Sequence, residues 1–182
     1  MRKFFLIIYF VLIFCSCKNE SSSSDDYDVY SCPDEISSRA FSFAELYRDS
    51  DTEYVWGSQD PVRAIAIDCS GLVVMCYKYA VVDTDYKLLF NDAPAASIYS
   101  DYSTKTENPR QGDLVFMGES GSTSITHIAI LDKIENGYVY FIDSTQKDTD
   151  NDGIDDINGV TERSYATTDD KIKSYGVMNL GI

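Results

Sequence analysis

Two hydrophobic rhythms divide the chain: apolar residues recur every three or four positions in its first half and alternate in its second. Behind a capping Ser37 or Ser38, the positions Ala40, Phe41, Ala44 and Tyr47 or Arg48 follow helical spacing. Asp68 predicts another cap, and the helix opening at Cys69 places Leu72, Val73, Cys76, Tyr79 and Ala80 on its buried side. A shorter helix is expected over 94–102, with Pro94 in its first turn. The period then falls to two, and 113–117, 125–131, 138–143 and 175–180 read as strands separated by glycine-containing turns. Helices followed by an antiparallel sheet make the fold class α+β.

The N-terminus lies outside this pattern. Arg2 and Lys3 precede an apolar run over 4–14, too short to cross a bilayer, so 1–16 reads as a signal peptide. It ends in Cys15-Ser16-Cys17, similar to a bacterial lipoprotein processing site, with Cys17 as the lipidated residue. The Ser- and Asp-rich stretch that follows predicts a flexible linker over 17–36 and a single domain over 37–182. That domain, at about 145 residues, is large enough for a real core. The expected location is the cell envelope, outside the cytoplasm and tethered to a membrane by lipid. Lys18 and the acidic linker favour the outer membrane over the inner.

Charge narrows the partners. Without Arg2 and Lys3, 13 basic residues face 30 acidic ones, a net of −17. Nucleic acid, which demands a basic surface, is excluded. Adhesion to anionic wall polymers by charge is equally disfavoured, so a wall substrate would need a shaped cleft. The five cysteines do not form a disulfide framework. Cys15 leaves with the signal, Cys17 takes lipid and Cys69 carries chemistry; Cys76, facing the core, and Cys32, in the linker, remain as either free thiols or a pair.

The chemistry centres on Asp68-Cys69-Ser70-Gly71 and on His127, the only histidine, 58 residues beyond the cysteine. A thiol at a helix N-terminus is favoured in its charged form, and an imidazole on a strand supplies the proton relay. Tyr54-Val55-Trp56-Gly57, Asp68-Cys69-Ser70-Gly71-Leu72-Val73, Gly112-Asp113-Leu114-Val115-Phe116 and His127-Ile128-Ala129-Ile130 occur in that order. Together they resemble the NlpC-type family of papain-like cysteine peptidases. The resemblance implies N-terminal helices packed on an antiparallel sheet that carries the histidine. It also implies an endopeptidase acting on peptidoglycan stem peptides at a γ-D-glutamyl bond to a diamino acid, with no cofactor needed for catalysis. Tyr54 is then an oxyanion donor or substrate contact, and Ser70 beside the nucleophile a second candidate.

The family's third residue, usually His, Asn or Gln, corresponds to Asp143, whose carboxylate is able to orient an imidazole. Its place depends on the turn at Glu135-Asn136-Gly137. A three-residue loop sets Asp143 opposite Ala129, on the His127 face; a two-residue Asn-Gly turn sends it to the other face, leaving Gln146 as substitute. Beyond it, Asp148, Asp150 and Asp152 around Gly153, with Asp155 or Asp156 to close the shell, resemble the first half of a calcium loop, which makes them candidate ligands for a structural calcium ion or else a solvated acidic turn. Ser58 in place of a second glycine, the long approach over 59–67 and Asp143 itself are departures from the family pattern. They keep two alternatives open: another cysteine amidase or acyltransferase, and a calcium-stabilised surface binding lipoprotein without turnover.

Overall fold

The structure, a computed structural model, describes residues 28–59 and 66–182; the expected signal peptide, Cys17 and the linker to residue 27 lie outside them. In chain order the elements are β1 (Val29–Ser31), α1 (Asp34–Asp49), α2 (Cys69–Ala80), β2 (Lys87–Leu88), α3 (Ala95–Asp101), β3 (Ser103–Lys105), β4 (Leu114–Met117), β5 (His127–Glu135), β6 (Tyr138–Lys147), β7 (Ile157–Ala166) and β8 (Ile172–Gly181). The strands pair antiparallel in the order β1-β8-β4-β5-β6-β7, and β2 and β3 also pair with β8. This is the expected α+β arrangement. No helix among the described residues is long and apolar enough to cross a membrane.

The main core lies where α1 and α2 meet the sheet. Ala40 and Ala44 of α1 and Leu72, Val73 and Cys76 of α2 are buried with Ile128, Ile130 and Ile142. Alternation sends the intervening residues to the other face, where Val115, Ala129, Leu131 and Phe141 form a smaller cluster against Tyr165 and Tyr175.

Several boundaries differ from expectation. Part of the expected linker is folded: β1 pairs with β8, Cys32 is buried, and its N–H donates to the Met178 carbonyl at 2.8 Å. Burial, reinforced by the Asp113 charge, pushes the Cys32 thiol up to about 12. Helix α1 starts at Asp34 behind Pro33, and Ser37 is buried inside its first turn with Oγ donating to the Asp34 carbonyl. In α2 it is Tyr77, not Tyr79, that is fully buried, because its hydroxyl reaches the Gly112 carbonyl at 2.8 Å. The pattern gave no sign of β7, whose polar residues hide its alternation.

The hairpin joining β5 to β6 resolves the question of register. Glu135 pairs with Tyr138, so the turn is the two-residue Asn136-Gly137, both at positive φ (53° and 80°). Alone, that turn would place Asp143 away from His127. The register shifts between Leu131 and Lys133, where Asp132 is an extra residue, and from there Leu131 faces Phe141 and Ile130 faces Ile142. Asp143 therefore lies on the His127 face. The expected placement holds, but through a bulge and not through a three-residue loop.

Candidate active site

The nucleophile position is built by Asp68. Its Oδ1 accepts the Gly71 N–H at 2.7 Å and the Ser70 hydroxyl at 3.1 Å, while Oδ2 accepts the Gly57 N–H at 2.9 Å. One buried carboxylate thus caps α2 and ties the 54–58 loop to the helix start. Gly71 permits the contact: a Cβ there would stand 2.7 Å from the Ser58 carbonyl oxygen. Cys69 sits at this helix start, 9% exposed, at the positive end of the α2 dipole. Ser70, a sequence-level candidate for substrate contact, instead spends its hydroxyl on Asp68.

Tyr54 lies beside the nucleophile. Burial, with the charges of Cys69 and Asp68 adding to it, raises its phenol above the ordinary value, so the hydroxyl remains a donor.

His127 opens β5 and pairs with Met117 of β4. Its Nε2 meets Asp143 Oδ2 at 2.5 Å, and Cys69 is its second electrostatic partner, on the α2 side. Burial alone would lower its proton affinity. The hydrogen bonds to Asp143 and Cys69 and their charges outweigh it, and the imidazole is held at about 10. Asp143 is fully buried and remains ionised: burial opposes the charge, but the hydrogen bonds from His127 and Arg163 bring its carboxyl below the usual range.

Arg163 of β7, absent from the sequence-level candidates, completes the line. Its Nε donates to Asp143 Oδ1 at 3.0 Å and its Nη2 to Oδ2, a bidentate pair. Cys69, His127, Asp143 and Arg163 therefore follow one another from helix to sheet. An open cleft of about 390 Å³ runs beside His127, lined in part by Tyr54, Thr126, Thr145, Lys147 and Lys171. Gln146, the substitute third residue, is not needed and donates instead to Asp155 at 2.6 Å.

Of the two closing residues offered for the acidic loop, the structure brings Asp156 to the group and turns Asp155 away. Carboxylate oxygens of Asp148, Asp150 and Asp156 lie within 4.8 Å of one another. Asp155 is turned to Gln146, and Asp152 accepts the Ile154 N–H within its own turn. Asp148 also accepts the N–H groups of Asn151 and Gly153, so the loop is knitted by its own backbone.

A thiol at a helix N-terminus, beside an imidazole that a buried carboxylate orients, defines a papain-like cysteine site on an α+β scaffold. The chain belongs to the NlpC/P60 family, whose profile matches residues 51–166 and so spans all three of these residues. No curated protein matches it. Among solved structures it is similar to a lipoprotein-like protein of the NLP/P60 family from Staphylococcus aureus, with 21% identity and a TM-score of 0.47, over 83% of this chain and 44% of that one. It is also similar to Ly7917, with 12% identity and a TM-score of 0.51, over 78% of this chain and 62% of that one. Ly7917 has also been solved with the hydrolysing product of MDP; there the identity is 13%, the TM-score 0.47 and the coverage again 78% and 62%. The chain spans less than two thirds of the length of each.

Proposed function

We propose that this protein is a cell-wall hydrolase, a cysteine endopeptidase acting on peptidoglycan stem peptides at the γ-D-glutamyl bond to a diamino acid. The observation that carries the reading is the continuous line from Cys69 through His127 to the buried Asp143, beside an open cleft. The Cys69 thiolate attacks the amide carbonyl carbon. The oxyanion that forms lies within reach of the Cys69 backbone N–H at the helix start, and Tyr54 contributes its hydroxyl. The imidazolium of His127 donates its proton to the leaving amine, giving the acyl-thioester. Water, deprotonated by His127, then releases the carboxylic acid and restores the thiol pair.

Charge supports an anionic substrate. In a chain with a formal net charge of −15, the cleft beside His127 gathers Lys147 and Lys171, which suit the free carboxylates of stem peptides. In this reading the protein is held at the cell envelope by lipid on Cys17, at the outer membrane.

The experiment is digestion of purified peptidoglycan fragments by the protein and by its Cys69→Ala variant, read by mass spectrometry. The proposal expects products cut at the γ-D-glutamyl bond that vanish in the variant. Identical traces from both preparations would overturn it.

A further inference from the structure

The third residue of this site is an anion with no exposure to water, already shared by two cations. Asp143 Oδ2 receives both His127 Nε2 and Arg163 Nη2, while Oδ1 receives Arg163 Nε. Arg163 is itself fixed. Its Nη1 donates to the Tyr165 hydroxyl at 3.1 Å, and its guanidinium lies 5.5 Å over the Phe141 ring and 5.6 Å over that of Tyr165. Its side chain is 14% exposed. Because Arg163 pairs with Phe141 across the β6–β7 ladder, its side chain stands diagonally behind Asp143 on the same face.

We propose that Arg163 is a positioning residue of the catalytic line, holding the Asp143 carboxylate ionised and aimed at Nε2 while withdrawing enough of its charge for His127 to release its proton. The proposal rests on the reading of Cys69 and His127 as the reacting pair. An isolated buried carboxylate would either take up a proton or bind the imidazolium too tightly for acid catalysis. The bidentate guanidinium prevents both. It fixes two oxygens in one plane and makes the pair behind the imidazole neutral as a unit. The other charged or titratable groups around His127 are Cys69 from α2 and, lining the cleft beside it, Tyr54 from the preceding loop, Lys147 from β6, Tyr165 from β7 and Lys171 ahead of β8. Glu119, after β4, also lines the cleft. None of these is hydrogen-bonded to Asp143.

His127 is the only histidine, so its imidazole resonance in the full chain reports the effect directly. In Arg163→Met the midpoint of that resonance should rise by at least about one pH unit, a tenfold change in proton affinity. Over the same interval kcat should fall at least tenfold, with KM little altered. Arg163→Lys should lie between, since an ammonium restores charge without the fork. The double variant Asp143→Asn/Arg163→Met removes both charges. It should bring the imidazole back towards its ordinary range and recover stability and kcat relative to Arg163→Met alone. It also answers the question should Arg163→Met fail to fold. An unchanged His127 midpoint in a folded Arg163→Met or Arg163→Lys protein would overturn the proposal, as would strictly additive effects in the double variant. The resonance needs no wall substrate. A failure of wall digestion with a shifted imidazole would therefore sink the proposed function and leave this inference standing.

Discussion

Asp132 is bulged out of the β5 ladder, so that Asp143 lies on the same face of the sheet as His127. Were Asp132 a regular ladder residue, the Asn136-Gly137 turn would impose the opposite parity. Because Leu131 already faces Phe141 and Lys133 already faces Tyr140, deleting Asp132 leaves each of those pairs intact and only straightens the strand. The expected result is a folded, active protein. Its melting temperature should fall by about 2–4 °C, for roughly 1 kcal/mol, from the lost bend and the lost 3.0 Å contact with Gln111. Deleting Tyr140 instead breaks the relation between the strands and should abolish activity. Activity lost in the Asp132 deletion and kept in the Tyr140 deletion would contradict the register argument.

Asp68 holds the nucleophile helix and the Tyr54 loop with one side chain. Asp68→Ala removes the cap on Gly71 and the tie to Gly57 together, at a cost of about 1–2 kcal/mol. Asp68→Asn keeps an acceptor oxygen for the cap and should retain most of the stability. Chemical denaturation of both variants, beside the alkylation rate of Cys69, separates the two roles. Equal destabilisation by Ala and Asn would mean that charge, and not capping, is what α2 requires.

Tyr54→Phe isolates the phenol hydroxyl. Loss of one oxyanion donor costs on the order of 10²-fold in kcat. Because Tyr54 is only half-buried, thermal stability should hardly change. A kcat within twofold of wild type would remove Tyr54 from the oxyanion site.

What the sequence discloses about this site follows how local each determinant is. The cap and helix start at Asp68 and Cys69 are written within four residues, and His127 has no competitor in the chain. Asp143 was legible as a candidate, but its face was not. The bulge at Asp132 leaves no mark in Leu131-Asp132-Lys133, and only the Asn136-Gly137 turn carries a sequence signal. Arg163 was invisible for a related reason. Strand β7 carries Asn158, Thr161, Glu162, Arg163 and Ser164 in close succession, so period two is lost among polar residues. Its ten-pair ladder with β6, and not its own pattern, makes it a strand. β1 is similar: its residues read as linker until β8 offers an edge.

The raised proton affinity of His127 fixes a pH dependence. An imidazole near 6.5 in the unfolded chain and about 10 in the folded one contributes stability that is fully present below about 6.5. That contribution shrinks as pH rises from there and is gone once pH has passed about 10. The melting temperature should therefore decline across this window, and the decline should be absent in His127→Gln. Activity should share the alkaline limb, since the leaving amine needs the imidazolium. A melting temperature flat from about pH 7 to pH 10 in the wild type would contradict the charged pair.

The cleft's lysines supply a prediction about specificity that is independent of the bond cleaved. Lys147 and Lys171 line the same cleft as His127, Lys147 exposed and Lys171 half-buried, with Lys171 Nζ 5.3 Å over the Tyr165 ring. A solvent-facing charge acting on a substrate carboxylate contributes up to about 1 kcal/mol, or roughly fivefold in binding, and is weakened by salt. Lys147→Glu and Lys171→Glu should therefore each raise KM several-fold for fragments with a free carboxylate next to the scissile bond, leaving kcat close to wild type. The same fragments amidated at that carboxylate should barely distinguish variant from wild type, and added salt should narrow the difference for the acidic ones. Equal KM values for free and amidated substrates in the wild type would show that the cleft recognises shape without charge. The strongly acidic remainder of the surface would then be acting only to keep the protein clear of anionic polymer.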